Sequence, residues 1–129
     1  VSAYLLDTQA FLWYAADPAQ LSSKALDKIE NGGNELWVSI ASLWEISIKL
    51  SIGQLTLKER LEKLVDKQIS INRIQLLAIT HLHTFAVQKL PFHHRDPFDR
   101  LLVAQATLEK FPIISSDLAF DSYRVARIW

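Results

Sequence analysis

The block Asp96-Pro97-Phe98-Asp99-Arg100 runs directly into Leu101-Leu102-Val103-Ala104-Gln105-Ala106. The first block starts a helix, with Asp96 as N-cap, Pro97 at the first helical position and Asp99 two residues further on. The second is apolar almost all round, so the helix is buried on several sides instead of lying on a surface. A helix of that kind requires a layered fold around it. Carboxylates at its mouth carry a desolvation cost. Either the unpaired N–H groups and dipole of the helix offset that cost, or a cation does.

The rest of the chain supplies the layers. Ala3-Tyr4-Leu5-Leu6 predicts a buried strand ending at Asp7. Ser22-Ser23 caps a helix through Ile29 that stops at Asn31-Gly32-Gly33-Asn34. Leu36-Trp37-Val38 is a second strand, and Ile40 to Leu50 a helix ended near Gly53. Thr56-Leu57-Lys58-Glu59 has the pattern of a capping box, with Leu57, Leu61, Leu64 and Val65 at helical spacing behind it. Ile69-Ser70-Ile71 predicts a short strand, and Leu76 to about Leu90 a helix closed by Pro91. Pro112 to Ser115 and Val125 to Ile128 are the last strands. There is no repeat and no linker, so residues 1–129 are expected to form one domain. Strands alternating with helices imply an α/β fold: a doubly wound, mostly parallel sheet covered on both faces. Ligands in such folds bind beyond the carboxyl ends of the strands.

Composition narrows the function. No apolar run approaches the roughly 20 residues of a membrane span, and the early strand leaves no room for a signal peptide. The absent initiator Met suggests a processed or trimmed start. Without cysteine, disulfides and thiolate metal sites are excluded, and a cytoplasmic protein is the default expectation. Fourteen basic residues balance fourteen acidic ones. That counts against a stand-alone nucleic-acid binder, and leaves room for an enzyme whose few basic residues cluster at a site.

The acidic residues divide by position. Asp7 and Asp117 fall at carboxyl ends of strands, where either can cap the following helix, with Thr8 and Ser116 helping. Glu45 lies within a mostly apolar helix, in a narrow polar stripe with Ser42 and Lys49. It can form an i,i+4 pair with Lys49 or point along a cleft. Asp96 fits the N-cap, whereas Asp99 is short for the reach-back that a Glu makes at the same place. Four converging carboxylates without a cation would repel one another and raise their own pKa values. Oxygen-only ligands select a hard ion such as Mg²⁺ or Mn²⁺, which lowers the pKa of bound water and stabilises charge on a phosphodiester. Spacing alone does not make Asp7, Glu45, Asp99 and Asp117 converge.

Other residues are open to two readings. His81, His83, His93 and His94 could suggest zinc, but adjacent histidines point apart and no closed ligand spacing is present. Arg95, Arg100 and Lys49 can contact RNA phosphates or balance local charge. Trp13, Trp44 and Phe92 can stack on bases, although aromatics at helical spacing are more often core or interface. Trp13, Tyr14, Leu43 and Trp44 are candidates for a protein interface.

Taken in order, five blocks resemble the PIN-domain ribonucleases of the VapC toxin type. They are Tyr4-Leu5-Leu6-Asp7-Thr8, Ser42-Leu43-Trp44-Glu45-Ile46, His94 through Ala106, Ile113-Ile114-Ser115-Ser116-Asp117, and Val125 through Trp129. The resemblance spans essentially the whole chain. It implies a three-layer α/β/α sandwich with a central mostly parallel sheet. It also implies endonucleolytic hydrolysis of RNA by metal-activated water, with Mg²⁺ or Mn²⁺ as cofactor and products bearing a 5′ phosphate and a 3′ hydroxyl. Asp7, Glu45, Asp99 and Asp117 then take the acidic positions, and Thr8 matches the small hydroxyl residue beside the first Asp. Asp96 matches an extra Asp of one bacterial subgroup. Asp117 is the least uniform position, and Asp121 could substitute for it or sit on the surface. A cognate antitoxin protein and a homodimer are the partners implied. The competing expectations are a catalytically silent PIN-like interaction module and a structure-specific DNA nuclease, for which the chain lacks the extra helices.

Overall fold

In the computed structural model, which describes residues 2–129, β1 (Ala3–Leu6), β2 (Glu35–Ser39), β3 (Gln75–Leu77), β4 (Ile113–Ile114) and β5 (Arg127–Ile128) form one sheet in the order β3-β2-β1-β4-β5. Every neighbouring pair is parallel. The helices are α1 (Thr8–Ala16), α2 (Ser23–Glu30), α3 (Ile40–Ser51), α4 (Leu61–Ser70), α5 (His81–Val87) and α6 (Pro97–Glu109). Short 3-10 turns cover Pro18–Gln20 and Leu118–Ser122. Among the described residues no helix is long and apolar enough to cross a membrane.

Strand side chains alternate between faces, and two buried clusters follow from that. Tyr4, Leu6, Leu36, Val38 and Ile114 pack on Ala10, Phe11, Ala25, Ile29, Ile46 and Leu64 from α1 to α4. Leu5, Leu77 and Ile113 face the other way, onto Leu102, Val103 and Ala106 of α6, with Phe120 and Tyr123. The three-layer α/β/α sandwich expected from the sequence is therefore present, with α6 carrying one whole layer and α5 packed on it. This explains the apolar body of α6: Leu102 to Ala106 are all buried.

Three local expectations are corrected. Ile69-Ser70-Ile71 is not a strand but the end of α4, with Ile71 as its C-cap. The helix buries Leu64 and Gln68 at i,i+4 spacing, and Ile71 is left 71% exposed, so a β-branched pair misled the pattern. The strand sits instead at Gln75–Leu77, inside the stretch expected to be helical, and α5 covers only His81–Val87. Thr56 starts no helix: α4 begins at Leu61 behind Arg60, which makes no side-chain cap. The capping box of this chain is at Thr80 and His83, where imidazole Nδ1 accepts from the Thr80 N–H.

From β1 the chain builds outward through β2 to β3, then crosses to β4 on the other side of β1. The carboxyl ends of β1 and β4 thus flank the point where the winding changes direction, the place at which doubly wound sheets bind ligands.

Candidate active site

Asp7 is the first residue beyond β1 and the N-cap of α1, with Oδ1 accepting from the Ala10 N–H at 2.8 Å. Its backbone N–H donates to the Ile114 carbonyl, which ties it to β4. The residue after Ile114, Ser115, donates its hydroxyl to Asp7 Oδ2. Each oxygen of Asp7 is therefore held, and the side chain is buried. Burial pushes its carboxyl up to about 6, with the charges of Asp117 and Glu45 adding and the Ser115 and Ala10 hydrogen bonds opposing.

Glu45 reaches the same place from the middle of α3. Thr8 Oγ1 donates to its Oε1 at 2.8 Å, and Lys49 Nζ lies 2.9 Å from its Oε2. Thr8 Oγ1 is also 2.9 Å from Ser42 Oγ. Because the single Thr8 proton goes to the carboxylate, Ser42 supplies the proton of that second contact. Ser42 and Glu45 of the polar stripe seen in the sequence thus pack on the start of α1, with Lys49 on the far side of Glu45.

Asp96 is the N-cap of α6, accepting from the N–H groups of Phe98 and Asp99. Asp99 does not cap. Its carboxylate turns toward His94, whose Nε2 lies 3.1 Å from Asp99 Oδ2 and 3.5 Å from Asp117 Oδ2. Burial pushes Asp99 up to about 7; Asp96 adds to the rise, His94 offsets part of it, and Asp7 and Glu45 add further. Asp117 follows β4, caps the 3-10 turn through the Ala119 N–H, and is the more exposed acid. Four elements therefore bring Asp7, Glu45, Asp99 and Asp117 within electrostatic range of one another, at the switch point of the sheet.

Two participants were not assigned here from sequence. Ser115, not Ser116, is the buried hydroxyl: Ser116 is exposed, whereas Ser115 meets Asp7 and accepts from the Asp117 N–H. Strand alternation could have found it, since Ser115 continues β4 in register with Asp7. His94 is not marked out in the sequence from the other histidines. Its Nδ1 accepts from the Asp96 N–H, so the neutral ring carries its proton on Nε2 and donates toward Asp99 and Asp117. Among the described residues, His94, Asp99 and Asp117 are the one group of three whose ligand atoms all lie within 4.8 Å of one another. The remaining histidines go elsewhere: His83 to Glu109 and Gln105, His81 to Phe85, and His93 to Tyr123.

The basic residues separate as well. Lys49 and the exposed Arg95 line an open groove of about 420 Å³ with Glu45, Gln54 and Asp96. Arg100 is a correction. The sequence allows it an RNA contact, yet it is only 6% exposed, and its guanidinium donates to the carbonyls of Val87, Leu90 and Pro91. Beyond the end of α5 the Leu90 and Pro91 carbonyls need donors, and Arg100 supplies them from inside while sharing the Val87 carbonyl with the Leu90 N–H. Asp121 is bonded to Arg127 on the surface. Trp13 packs on Trp129, and Trp44, 58% exposed, stands edge-on to Phe98.

Four neighbouring carboxylates, two of which (Asp7 and Asp99) burial and mutual charge hold above the usual range, form a site that favours a positive charge. Oxygen donors from several elements suit a hard divalent ion, and with the Asp96 N–H on its Nδ1 the His94 ring faces Asp99 and Asp117 through Nε2.

Comparison with known proteins identifies the family and the fold. The sequence pattern of the PIN domain matches residues 4–126. The fold is similar to that of VapBC2 from Rickettsia felis bound to a DNA fragment from their promoter, with a TM-score of 0.74 and 16% identity over 97% of this chain and 96% of that one. It is similar to DNA-bound VapBC from Salmonella typhimurium, with a TM-score of 0.67 and 13% identity over 98% and 96%. It is also similar to FitAcB from Neisseria gonorrhoeae, with a TM-score of 0.61 and 15% identity over 96% and 95%. No curated protein matches the sequence.

Proposed function

The chain belongs to the PIN domain family, and from that premise we propose that it is a divalent-metal-dependent endoribonuclease, the toxin half of a toxin–antitoxin pair. The observation that carries this reading is the convergence of Asp7, Glu45, Asp99 and Asp117 at the ends of β1 and β4, with burial and mutual charge holding Asp7 and Asp99 well above the usual carboxylate range.

Those four carboxylates would hold Mg²⁺ or Mn²⁺. When bound, such an ion supplies a water of lowered pKa and positive charge for the phosphodiester. The chain's own residues do the positioning. Ser115 and the Ala10 N–H fix Asp7, Thr8 and Lys49 fix Glu45, and His94 holds Asp99 and Asp117 together. Asp96 sets the start of α6 and so aims Asp99 from a rigid, buried helix. Lys49 and Arg95, in the groove beside Glu45, meet the phosphates of the RNA strand. No side-chain nucleophile is required. The single domain works in the cytoplasm as a homodimer and is restrained by a cognate antitoxin protein. The likeness to VapBC and FitAcB structures supports that partner.

The test is cleavage of RNA and DNA oligonucleotides of matched sequence with Mn²⁺. RNA should be cut to 5′-phosphate and 3′-hydroxyl ends, EDTA should stop it, and Asp7→Asn should abolish it without unfolding the chain. Wild-type, EDTA-sensitive cleavage by Asp7→Asn would overturn the site. Preference for DNA would overturn the substrate, and a flat Mn²⁺ titration by calorimetry would make the chain a silent interaction module.

A further inference from the structure

We infer that Phe92 is a stacking platform for one base of the single-stranded RNA, beside the scissile phosphate; this rests on the ribonuclease reading above. Phe92 is 86% exposed, the most exposed large hydrophobic side chain among the described residues. The ring does not dangle. The Arg100 guanidinium lies 4.3 Å from its centroid, and that guanidinium is itself pinned by the carbonyls of Val87, Leu90 and Pro91. One face of the ring is thus backed by a fixed cation, and the other is open to solvent.

The loop around it is equally fixed. Tyr123 Oη accepts from the His94 N–H at 2.9 Å, and the His93 ring stands edge-on to Tyr123 at 5.2 Å. Phe92 is two residues from His94, at most about 7 Å of chain, and His94 touches Asp99 and Asp117. A base next to the cleaved bond is within that reach. The occupant follows from the surroundings. The fully buried core of a protein interface is more apolar than its surroundings, whereas the side chains that follow Phe92 are His93, His94 and the exposed Arg95. One rigid, open aromatic face among cationic and polar groups suits an unpaired base and its phosphate.

The experiment uses a fluorescent single-stranded RNA that the wild type cleaves, and a series with one abasic site stepped across the cleavage point. Phe92→Ala should raise KM about tenfold, the size of one lost base stack, with kcat little changed; Phe92→Trp should restore it. Anisotropy in an Asp7→Asn background should show the same loss of RNA affinity without any cleavage. At one abasic position near the cut the wild type should lose the same factor, and Phe92→Ala should lose nothing more there. A KM unchanged by Phe92→Ala, or losses that add at every abasic position, overturn the platform even if binding to a protein partner weakens. If the wild type cleaves no RNA, the ribonuclease reading fails first and the platform with it.

Discussion

Thr8 Oγ1 donates to Glu45 Oε1 across 2.8 Å, joining the first residue of α1 to the middle of α3. With Lys49 on the other oxygen, the buried Glu45 carboxylate is held from two sides. Thr8→Val keeps the shape and removes the donor. A buried carboxylate that loses a hydrogen bond is destabilised by about 1–3 kcal/mol. The expected result is a lower melting temperature and at least a tenfold drop in kcat/KM, with Thr8→Ser close to wild type. Equal activity of Thr8→Val and wild type would mean that the orientation of Glu45 does not matter.

Arg100 and Lys49 should behave oppositely. Arg100→Ala leaves the Leu90 and Pro91 carbonyls without their side-chain donor and the Val87 carbonyl with the Leu90 N–H alone, so urea denaturation should show a loss of roughly 3 kcal/mol. Arg100→Lys should not rescue it, because one ammonium cannot replace the fork. Arg95→Ala should leave stability almost unchanged and Lys49→Ala lower it by about 1 kcal/mol, since its half-exposed ammonium pairs with Glu45, and each should flatten the salt dependence of RNA binding by somewhat under one unit of log–log slope. A flattened slope for Arg100→Ala with normal stability would return that residue to the RNA.

Those contrasts mark what the sequence could tell. The alternation of apolar runs and helical patterns was enough for the parallel layout and for β1, β2 and β4, whose apolar residues are largely buried. Asp96, Pro97 and Ser22 specify their helix starts locally, and the structure uses them so. The stretch from Thr56 to Leu90 was not legible. There Ile69 and Ile71 carry the strand pattern while packing of Leu64 and Gln68 decides for helix. The fate of an exposed-looking charge was equally hidden: Arg100 is buried only because α5 happens to end beside it. His94 meets Asp117 and Tyr123 only in space, and no local pattern encodes that meeting, whereas Ser115 was legible through its place opposite Asp7 in the β1–β4 register.

The Ser115–Asp7 bond gives a third prediction. Ser115→Ala removes the donor to Asp7 Oδ2 and the acceptor for the Asp117 N–H. Both acids then lose orientation. Calorimetric titration with Mn²⁺ should show an affinity about tenfold or more below wild type, the usual effect of losing a partner behind a metal ligand. Ser116→Ala, on an exposed side chain, should leave the affinity unchanged. If the two variants titrate alike, the Ser115 contact has no part in cation binding.

The raised carboxylates make stability depend on pH with a definite sign. Asp7 stands at about 6 and Asp99 at about 7 in the folded chain, against 3.8 in the free side chain. Between about pH 4 and pH 7 the folded chain therefore binds more protons than the unfolded chain, so stability falls as pH rises through that window. Asp7→Asn removes the Asp7 share while keeping an oxygen for the Ala10 N–H. In EDTA the variant should match wild type near pH 4 and exceed it above pH 7, by on the order of 3 kcal/mol. A divalent ion favours the ionised carboxylates, so Mn²⁺ should stabilise wild type more at pH 8 than at pH 5 and Asp7→Asn little at either. Thermal melts of both proteins across this range, with EDTA and with Mn²⁺, decide it. A constant difference between them from pH 4 to pH 8 would mean that Asp7 is not held above its ordinary value, and the electrostatic case for a cation at this site would go with it.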